Sequence, residues 1–247
     1  MSNTRYIASI SFGKDSLAML LKILEKGMPL DEVIFYDTGM EFQAIYRIRD
    51  RILPMLEDRK IKYTELHPEH PFLYDMLERP VESKENGKHN GYGWCGGVCR
   101  WGTAKKTATL DAYSKGATRY YIGIALDEPK RLARLAAPKC APLADWEMTE
   151  ANCLAYCWAQ GFGWQEGGTD LYDVLDRVSC WCCGNKNRKE LKNMYLYLPE
   201  YWERLKALQN KIARPMKRYS AKGIPYGNVF DLEKVFAEEV RRDALTR

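Results

Sequence analysis

The stretch Tyr6-Ile7-Ala8-Ser9-Ile10-Ser11-Phe12-Gly13-Lys14-Asp15-Ser16-Leu17-Ala18-Met19-Leu20-Leu21 decides the fold of this 247-residue chain. Tyr6 to Ser11 is a short apolar run that reads as a buried strand. It breaks at Gly13 and gives way to Ser16–Leu24, where the apolar spacing turns helical until Gly27. Outward from there, Val33–Tyr36 reads as a second strand closed by the turn Asp37-Thr38-Gly39. A helix over about 41–58 and a third strand at Tyr63–Leu66 follow. Alternating strands and helices predict an α/β fold, a three-layer, doubly wound and mostly parallel sheet.

From Pro80 to Trp101 the pattern gives way to Gly, Asn, Lys and Trp, which reads as a long loop of the functional or mobile kind. A helix near 103–114, a strand at Arg119–Ile124 and a short strand at Cys140–Leu143 follow. Thr149 caps a helix to about Gln160. A second, Cys-containing loop spans 161–188. The remainder from Lys189 reads as helical, with a Gly/Pro break at 223–227.

The chain is 46% hydrophobic and 12% aromatic with nearly balanced charge, which excludes intrinsic disorder. No apolar run approaches the roughly 20 residues that span a bilayer. The segment Met1–Ala8 lacks a basic stretch followed by a signal-length apolar core, so the expectation is a cytoplasmic protein. In that compartment the eight cysteines read as ligands, redox groups or buried apolar residues, not disulfides. The 38 Lys+Arg and 33 Asp+Glu leave a net charge of +5. Basic residues concentrate at Lys186, Arg188, Lys189, Lys192, Arg204, Lys206, Lys211, Arg214, Lys217, Arg218 and Lys222. Such a run fits a nucleic-acid contact and equally fits a solvated helix face.

The strand-to-helix junction carries chemistry. Ser11 and Ser16 offer hydroxyls, Lys14 a cation, Gly13 a tight turn, and the opening amides of the helix an anion site. That set suits a pyrophosphate, although the GxxxxGK(S/T) spacing of a Walker loop is missing. Asp37 ends a strand and is a candidate for a magnesium or phosphate-shell contact, or a simple turn former. Cys95-Gly-Gly-Val-Cys99 and Cys180-Trp-Cys182-Cys183 lie in the two loops. Cys95, Cys99, Cys180 and Cys183 make four soft ligands for Zn²⁺ or an iron–sulfur cluster, between which spacing does not choose. Cys153 and Cys157, four apart on an apolar helix, read as core. Cys140 is left unassigned, and Cys182 is a spare thiol that replaces a neighbouring ligand or carries sulfur.

The segment Ser11-Phe12-Gly13-Lys14-Asp15-Ser16 resembles the S-(F/G)-G-K-D-S loop of the PP-loop ATP pyrophosphatases, the adenine nucleotide alpha hydrolase-like superfamily. Within it the sequence is most similar to the phosphoadenylyl-sulfate (PAPS) reductase-like family. Asp37-Thr38-Gly39-Met40-Glu41-Phe42 resembles the family's D-T-G-x-x-F. Gly123-Ile124-Ala125-Leu126-Asp127-Glu128, followed by Arg131 or Arg134, is similar to its G-x-R-x-(D/E)-(E/Q)-S-x-x-R, with Ala125 for the arginine and Pro129 for the serine. Ala141-Pro142-Leu143-Ala144-Asp145-Trp146 and Ser179-Cys180-Trp181-Cys182-Cys183 resemble two further segments. The resemblance spans about residues 5–190.

It implies that ATP lies across the strand ends with Mg²⁺, held by Ser11, Phe12, Gly13, Lys14, Asp15, Ser16, Asp37, Thr38, Gly39, Gly123 and Glu128. Lys14, Asp15 and Asp37 are the implied catalytic residues. In the adenylyl-sulfate branch a cysteine pair and a C-x2-C hold a 4Fe-4S cluster; here the first pair is spread to C-x3-C. The implied organisation is a nucleotide-binding α/β domain at 1–160, with a Cys-containing loop and basic helical extension at 161–247 packed on the same domain.

Reductases of the family attack the sulfonucleotide with a cysteine in a C-terminal tail. The last cysteine here is Cys183, and the tail from Phe236 reads as a charged amphipathic helix. The leading expectation is therefore an ATP-dependent sulfurtransferase. It would adenylate an acceptor, tRNA or DNA among the candidates, and take sulfur from a donor protein. A reductase using another cysteine and a non-catalytic nucleotide-binding subunit are the alternatives.

Overall fold

The computed structural model describes residues 4–84, 87–217, 220–221, 224–225 and 227–245. In chain order the first elements are β1 (Tyr6–Ile10), α1 (Lys14–Glu25), β2 (Glu32–Tyr36), α2 (Gln43–Glu57), β3 (Lys62–Leu66) and α3 (Phe72–Leu77). Then come β4 (Pro80–Ser83), β5 (Gly87–Asn90), a π-helical turn (Arg100–Ala104), α4 (Lys105–Tyr113), β6 (Arg119–Ile122), α5 (Pro129–Leu132) and β7 (Lys139–Cys140). The rest are α6 (Pro142–Asp145), α7 (Glu150–Ala159), β8 (Gln165–Glu166), β9 (Thr169–Asp170), α8 (Leu171–Val174), α9 (Arg188–Tyr197) and α10 (Pro199–Lys211). A small hairpin, β10 (Ser220–Ala221) and β11 (Ile224–Pro225), precedes α11 (Val229–Leu245). The elements form two units. One is the chain up to Pro68 with Lys105–Trp164, and the other is Glu69–Ala104 with the chain from Gln165. Residues 69–104 thus group with the chain from Gln165.

The first unit is an α/β fold around a five-stranded sheet of order β3-β2-β1-β6-β7, every pair parallel. Strand β2 is buried at all five positions, as a central strand covered on both faces must be. On one face Ile7, Ile34, Tyr36 and Tyr120 pack with Leu110 of α4. The alternate residue Phe35 meets the Phe12 ring at 5.1 Å, in an edge-on arrangement. The chain runs outward from β1 to β2 and β3, then returns to place β6 on the other side of β1. This reversal makes the carboxyl end of β1 the topological switch point, where open α/β sheets bind ligands.

Two local expectations change. Residues 140–143 are not one strand, because β7 stops at Cys140 and Pro142 opens α6. Proline lacks the N–H a ladder needs, and its fixed φ suits the first helical turn. Residues 80–101 are not loop throughout, since Val81 pairs with His89 and Glu82 with Lys88 in an antiparallel hairpin. Its strands are polar and largely exposed, so no apolar alternation announced them. Thr149 caps α7 as expected, in a reciprocal capping box with Asn152.

Strand β2 also carries a charge network. Glu32 is 4% exposed and accepts from Arg5, Lys62, Thr64 and Tyr113 at 2.6–2.9 Å. Burial would raise its pKa, but the four donors overcome it and hold the carboxyl at about 2, against 4.5 for the free group. A depressed folded pKa stabilises the fold above pH 4.5, and that stabilisation disappears as pH falls through about 2. The difference corresponds to about 3 kcal/mol. Glu32→Gln is therefore expected to lower neutral-pH stability by up to that amount and to flatten the pH dependence of denaturant midpoints between pH 5 and 2.

In the second unit, Tyr195 of α9, Trp202 of α10 and Phe236 of α11 form a ring cluster with centroids 5.6–6.1 Å apart. Most of the basic run is used internally. Arg188 and Lys192 pair with Glu239, Lys206 with Glu203 and Glu233, and Lys189 with Asp176. Arg214 donates to the carbonyls of Tyr92 and Trp94, and Arg204 lies over Tyr201. Arg218 and Lys222, with Gly223 and Tyr226 of the expected break, lie outside the described residues. Among the described residues no helix is long and apolar enough to cross a membrane.

Candidate functional site

The β1–α1 loop turns at an unexpected residue. Gly13, expected to make the turn, is extended at φ −78°, ψ 167°, and serves as the N-cap of α1. The left-handed residue is Phe12, at φ 56°. That conformation costs a non-glycine residue about 1–2 kcal/mol. Packing holds it there: the Phe12 ring is fully buried against Phe35, and its carbonyl accepts from Trp164 Nε1 at 2.8 Å. Ser16 Oγ accepts from the Ser11 amide and donates to the Gly13 carbonyl, both at 3.1 Å, so its hydroxyl ties the loop closed. Helix α1 opens without a side-chain cap. Its first-turn N–H groups have no carbonyls within the helix to bond, and an anion there meets the positive end of the helix dipole.

Lys14 is 9% exposed, and its Nζ lies 2.6 Å from Glu150 and 2.9 Å from Asp15. Burial draws the ammonium down, but Glu150 and Asp15 outweigh it and keep its pKa above the ordinary value. Burial pushes the Asp15 carboxyl up, against the pull of Lys14. Glu150 begins α7, which lies along α1. There Cys153 and Cys157 are fully buried, and Cys157 Sγ donates to the Lys14 carbonyl at 3.4 Å. Burial pushes both thiols up to about 12, which suits core residues.

Gly123, following β6, closes the other side. A Cβ there would stand 2.7 Å from Ser16 Cα and 2.8 Å from Ser16 N, so only glycine admits the first turn of α1 this close. Glu128 is held locally, by Arg131 at 2.7 Å and the Ala125 amide at 3.4 Å. At the end of β2, Asp37 Oδ1 accepts from the Gly39 amide and from Tyr46 Oη, each at 2.8 Å, and Thr38 Oγ1 accepts from the Met40 amide. Asp37 is thus the turn former of its loop, with its second oxygen left over.

The cysteines lie in the second unit, where the two loops meet. Asn185 Nδ2 donates to the Gly97 carbonyl at 2.6 Å, and the Gly97 amide donates back to Asn185 Oδ1 at 2.9 Å. A Cβ on Gly184 would stand 2.3 Å from the Cys95 carbonyl oxygen. Cys99 Sγ accepts from the Gly102 amide at 3.2 Å inside the π-helical turn, and the Cys183 amide closes a turn on the Cys180 carbonyl. Cys95, Cys99, Cys180 and Cys183 are partly exposed, and none of the eight cysteines forms a disulfide. Among the described residues no three of the sulfurs approach within 4.8 Å, so the thiols must turn inward to share one metal group.

Two cations sit beside these loops. Lys186, 2% exposed, donates to Ser179 Oγ, and Lys217 donates to the Gly184 carbonyl at 2.6 Å. Burial lowers the pKa of each ammonium, against the neighbouring Cys and Glu groups. Four thiols on two adjoining loops, with Lys186 and Lys217 close enough to offset thiolate charge, suit a thiophilic metal, so the donor set fits such a group. Cys182 does not fit the role of sulfur carrier. It is 3% exposed, and burial pushes its thiol well above the ordinary range, where it stays protonated.

The family model for the phosphoadenosine phosphosulfate reductase domain matches residues 5–157, from β1 through α7. The chain belongs to this family. The matched stretch contains the phosphate loop, the Asp37 turn, Gly123 and Glu150, so it includes the β1 switch point. Among solved structures, the U34-tRNA thiolase NcsA from Methanococcus maripaludis with its 4Fe-4S cluster is similar at a TM-score of 0.45 and 14% identity, covering 97% of this chain and 72% of that one. No curated protein matches the sequence significantly.

Sequence reading missed Glu150, Trp164, Tyr46 and Asn185, each of which positions a site residue. Glu150 had one signal, its place just after the Thr149 cap. The others become partners only across the fold.

Proposed function

We propose that this member of the PAPS reductase domain family is an ATP-dependent sulfur-transfer enzyme that activates its acceptor by adenylation. The observation that carries the reading is Lys14, a largely buried cation at the opening of α1, between two carboxylates and beside an uncapped helix start at the switch point. The β- and γ-phosphates of ATP would take the place of Glu150 and Asp15 around Lys14, with Asp15 and Asp37 available to Mg²⁺. An acceptor carbonyl oxygen attacks the α-phosphorus. The new O–P bond forms as the bond to pyrophosphate breaks, and Lys14 with the α1 amides stabilises charge growing on the leaving group. Hydrosulfide from a sulfur-donor partner then attacks the activated carbon, the C–O bond breaks with AMP leaving, and the sulfur's proton goes to solvent.

Cys95, Cys99, Cys180 and Cys183 would hold the metal group, which when bound keeps sulfur reduced and deliverable. The acceptor is proposed to be a nucleic acid. The exposed Lys211 and Lys189 of the second unit support this, Lys189 being only loosely paired with Asp176 at 3.7 Å.

The test is pyrophosphate release from ATP by anaerobically purified protein, with tRNA or DNA and sulfide present, alongside iron and zinc analysis. The expected result is acceptor-stimulated release and retention of sulfur in the nucleic acid. Sulfite release from adenylyl sulfate without ATP would identify a reductase instead. Tight ATP binding without turnover would identify a non-catalytic subunit.

A further inference from the structure

Asp37, Glu65 and His67 stand at the carboxyl ends of two neighbouring strands. One oxygen of each carboxylate and one ring nitrogen lie within 4.8 Å of one another. The parallel register explains why. Phe35 pairs with Glu65 and Tyr36 with Leu66, and the Asp37 amide donates to the Leu66 carbonyl at 2.9 Å. Alternate residues of a strand share a face, so Glu65 and His67 rise on the side that also carries Phe35 and Asp37.

We propose that these three residues bind one divalent first-row transition-metal ion, at a site separate from the cysteine loops. Ligands at 2.0–2.2 Å from one ion lie at most about 4.4 Å apart, and the three atoms here all lie within 4.8 Å of one another, with His67 Nε2 3.5 Å from Glu65 Oε1. Each carboxylate is oriented through one oxygen only. Asp37 Oδ1 takes the Tyr46 hydroxyl and the Gly39 amide, whereas Glu65 Oε2 takes the Tyr63 hydroxyl at 2.6 Å and Arg49 at 3.2 Å. Hydroxyl donors holding the outer oxygen of a ligand are the usual support of a metal site.

The other oxygens are poorly used. Asp37 is 9% exposed, yet its Oδ2 has no hydrogen bond among the described residues. Glu65 Oε1 has only the long 3.5 Å approach of His67 Nε2. Asp37 Oδ2 is not one of the buried unpartnered side-chain atoms, so it opens to solvent, where an incoming ion can reach it. The His67 side chain is 59% exposed, which leaves the remaining coordination positions to water or an anionic ligand. Two carboxylates with an imidazole favour manganese-, iron- or zinc-like ions over magnesium or calcium, which prefer all-oxygen shells. Asp37 is shared with the nucleotide reading, where it is available to Mg²⁺, but Glu65 and His67 have no part in that reading, and this site needs no nucleotide.

The test is titration of metal-free protein with Mn²⁺, an ion with little affinity for thiols, followed by loss of the free-ion electron paramagnetic resonance signal. Wild type is expected to bind about one Mn²⁺ per chain with nitrogen coupling from His67. His67→Ala and Glu65→Gln are each expected to weaken binding at least about tenfold, His67→Ala also abolishing the nitrogen coupling. His67 is exposed enough that its variant tests ligation without unfolding, and circular dichroism confirms this for both. Unchanged Mn²⁺ affinity in both variants would overturn the site. Binding that occurs only with ATP present would overturn it too, because the ion would then belong to the nucleotide.

Discussion

Replacing Lys14 by methionine is expected to reduce the proposed ATP-dependent pyrophosphate release by about 100- to 1,000-fold, the loss typical of removing one donor aimed at developing charge. Methionine keeps the length and apolar stem of the side chain, so the packing of a residue that is 9% exposed is largely retained. What disappears is the ammonium that Glu150 and Asp15 hold at 2.6 and 2.9 Å. Without it, two carboxylates face an incoming polyphosphate, and their repulsion adds to the lost attraction. The loss should therefore appear in ATP affinity as well as in turnover. Glu150→Gln separates these effects: it removes a competing anion but keeps the lysine, so ATP should bind at least as well as in wild type. Pyrophosphate assays with both variants, and melting curves to show that each is folded, check the argument. Unchanged release in Lys14→Met would remove the phosphate-loop assignment.

How much of this was legible depended on how local the cause was. The β1–α1 junction could be read directly, because a strand, a glycine and a helical run follow each other within twenty residues and each signal is short-range. The same was true of Thr149 and its cap. Phe12 was not, because a buried aromatic in the left-handed region is held by Trp164, 152 residues away in sequence. Local preference assigned the turn to Gly13, and tertiary packing moved it by one residue. For a similar reason nothing in the sequence singles out His67: nothing places it beside Asp37 until β2 and β3 pair in register. The polar hairpin at 80–90 was hidden because exposed strands lose the alternation that marks half-buried ones. Of the basic run, sequence showed the charges but not the acids on α10 and α11 that neutralise many of them.

The second large effect is expected at Gly184. Gly184→Val should lower the metal content of the purified protein by about tenfold or more, the scale on which support of a site tunes affinity, although no proposed ligand is changed. Its Cβ would lie 2.3 Å from the carbonyl oxygen and 3.3 Å from the carbonyl carbon of Cys95. Those are backbone atoms and cannot rotate aside as a side chain would, so one cysteine loop must move away from the other. Moving it also strains the paired hydrogen bonds between Asn185 and Gly97 and the one from Lys217 to the Gly184 carbonyl. Asn185→Ala removes the hydrogen-bonded clamp without a clash, and should give a smaller loss. Gly96→Ala is the control, because a Cβ there meets nothing within 4 Å. Iron and zinc measured on the three variants, purified anaerobically, should rank Gly96→Ala near wild type, Asn185→Ala between and Gly184→Val lowest. If Gly184→Val keeps its full metal content, the two cysteine pairs do not share one centre, and the ligand set must be divided between the loops.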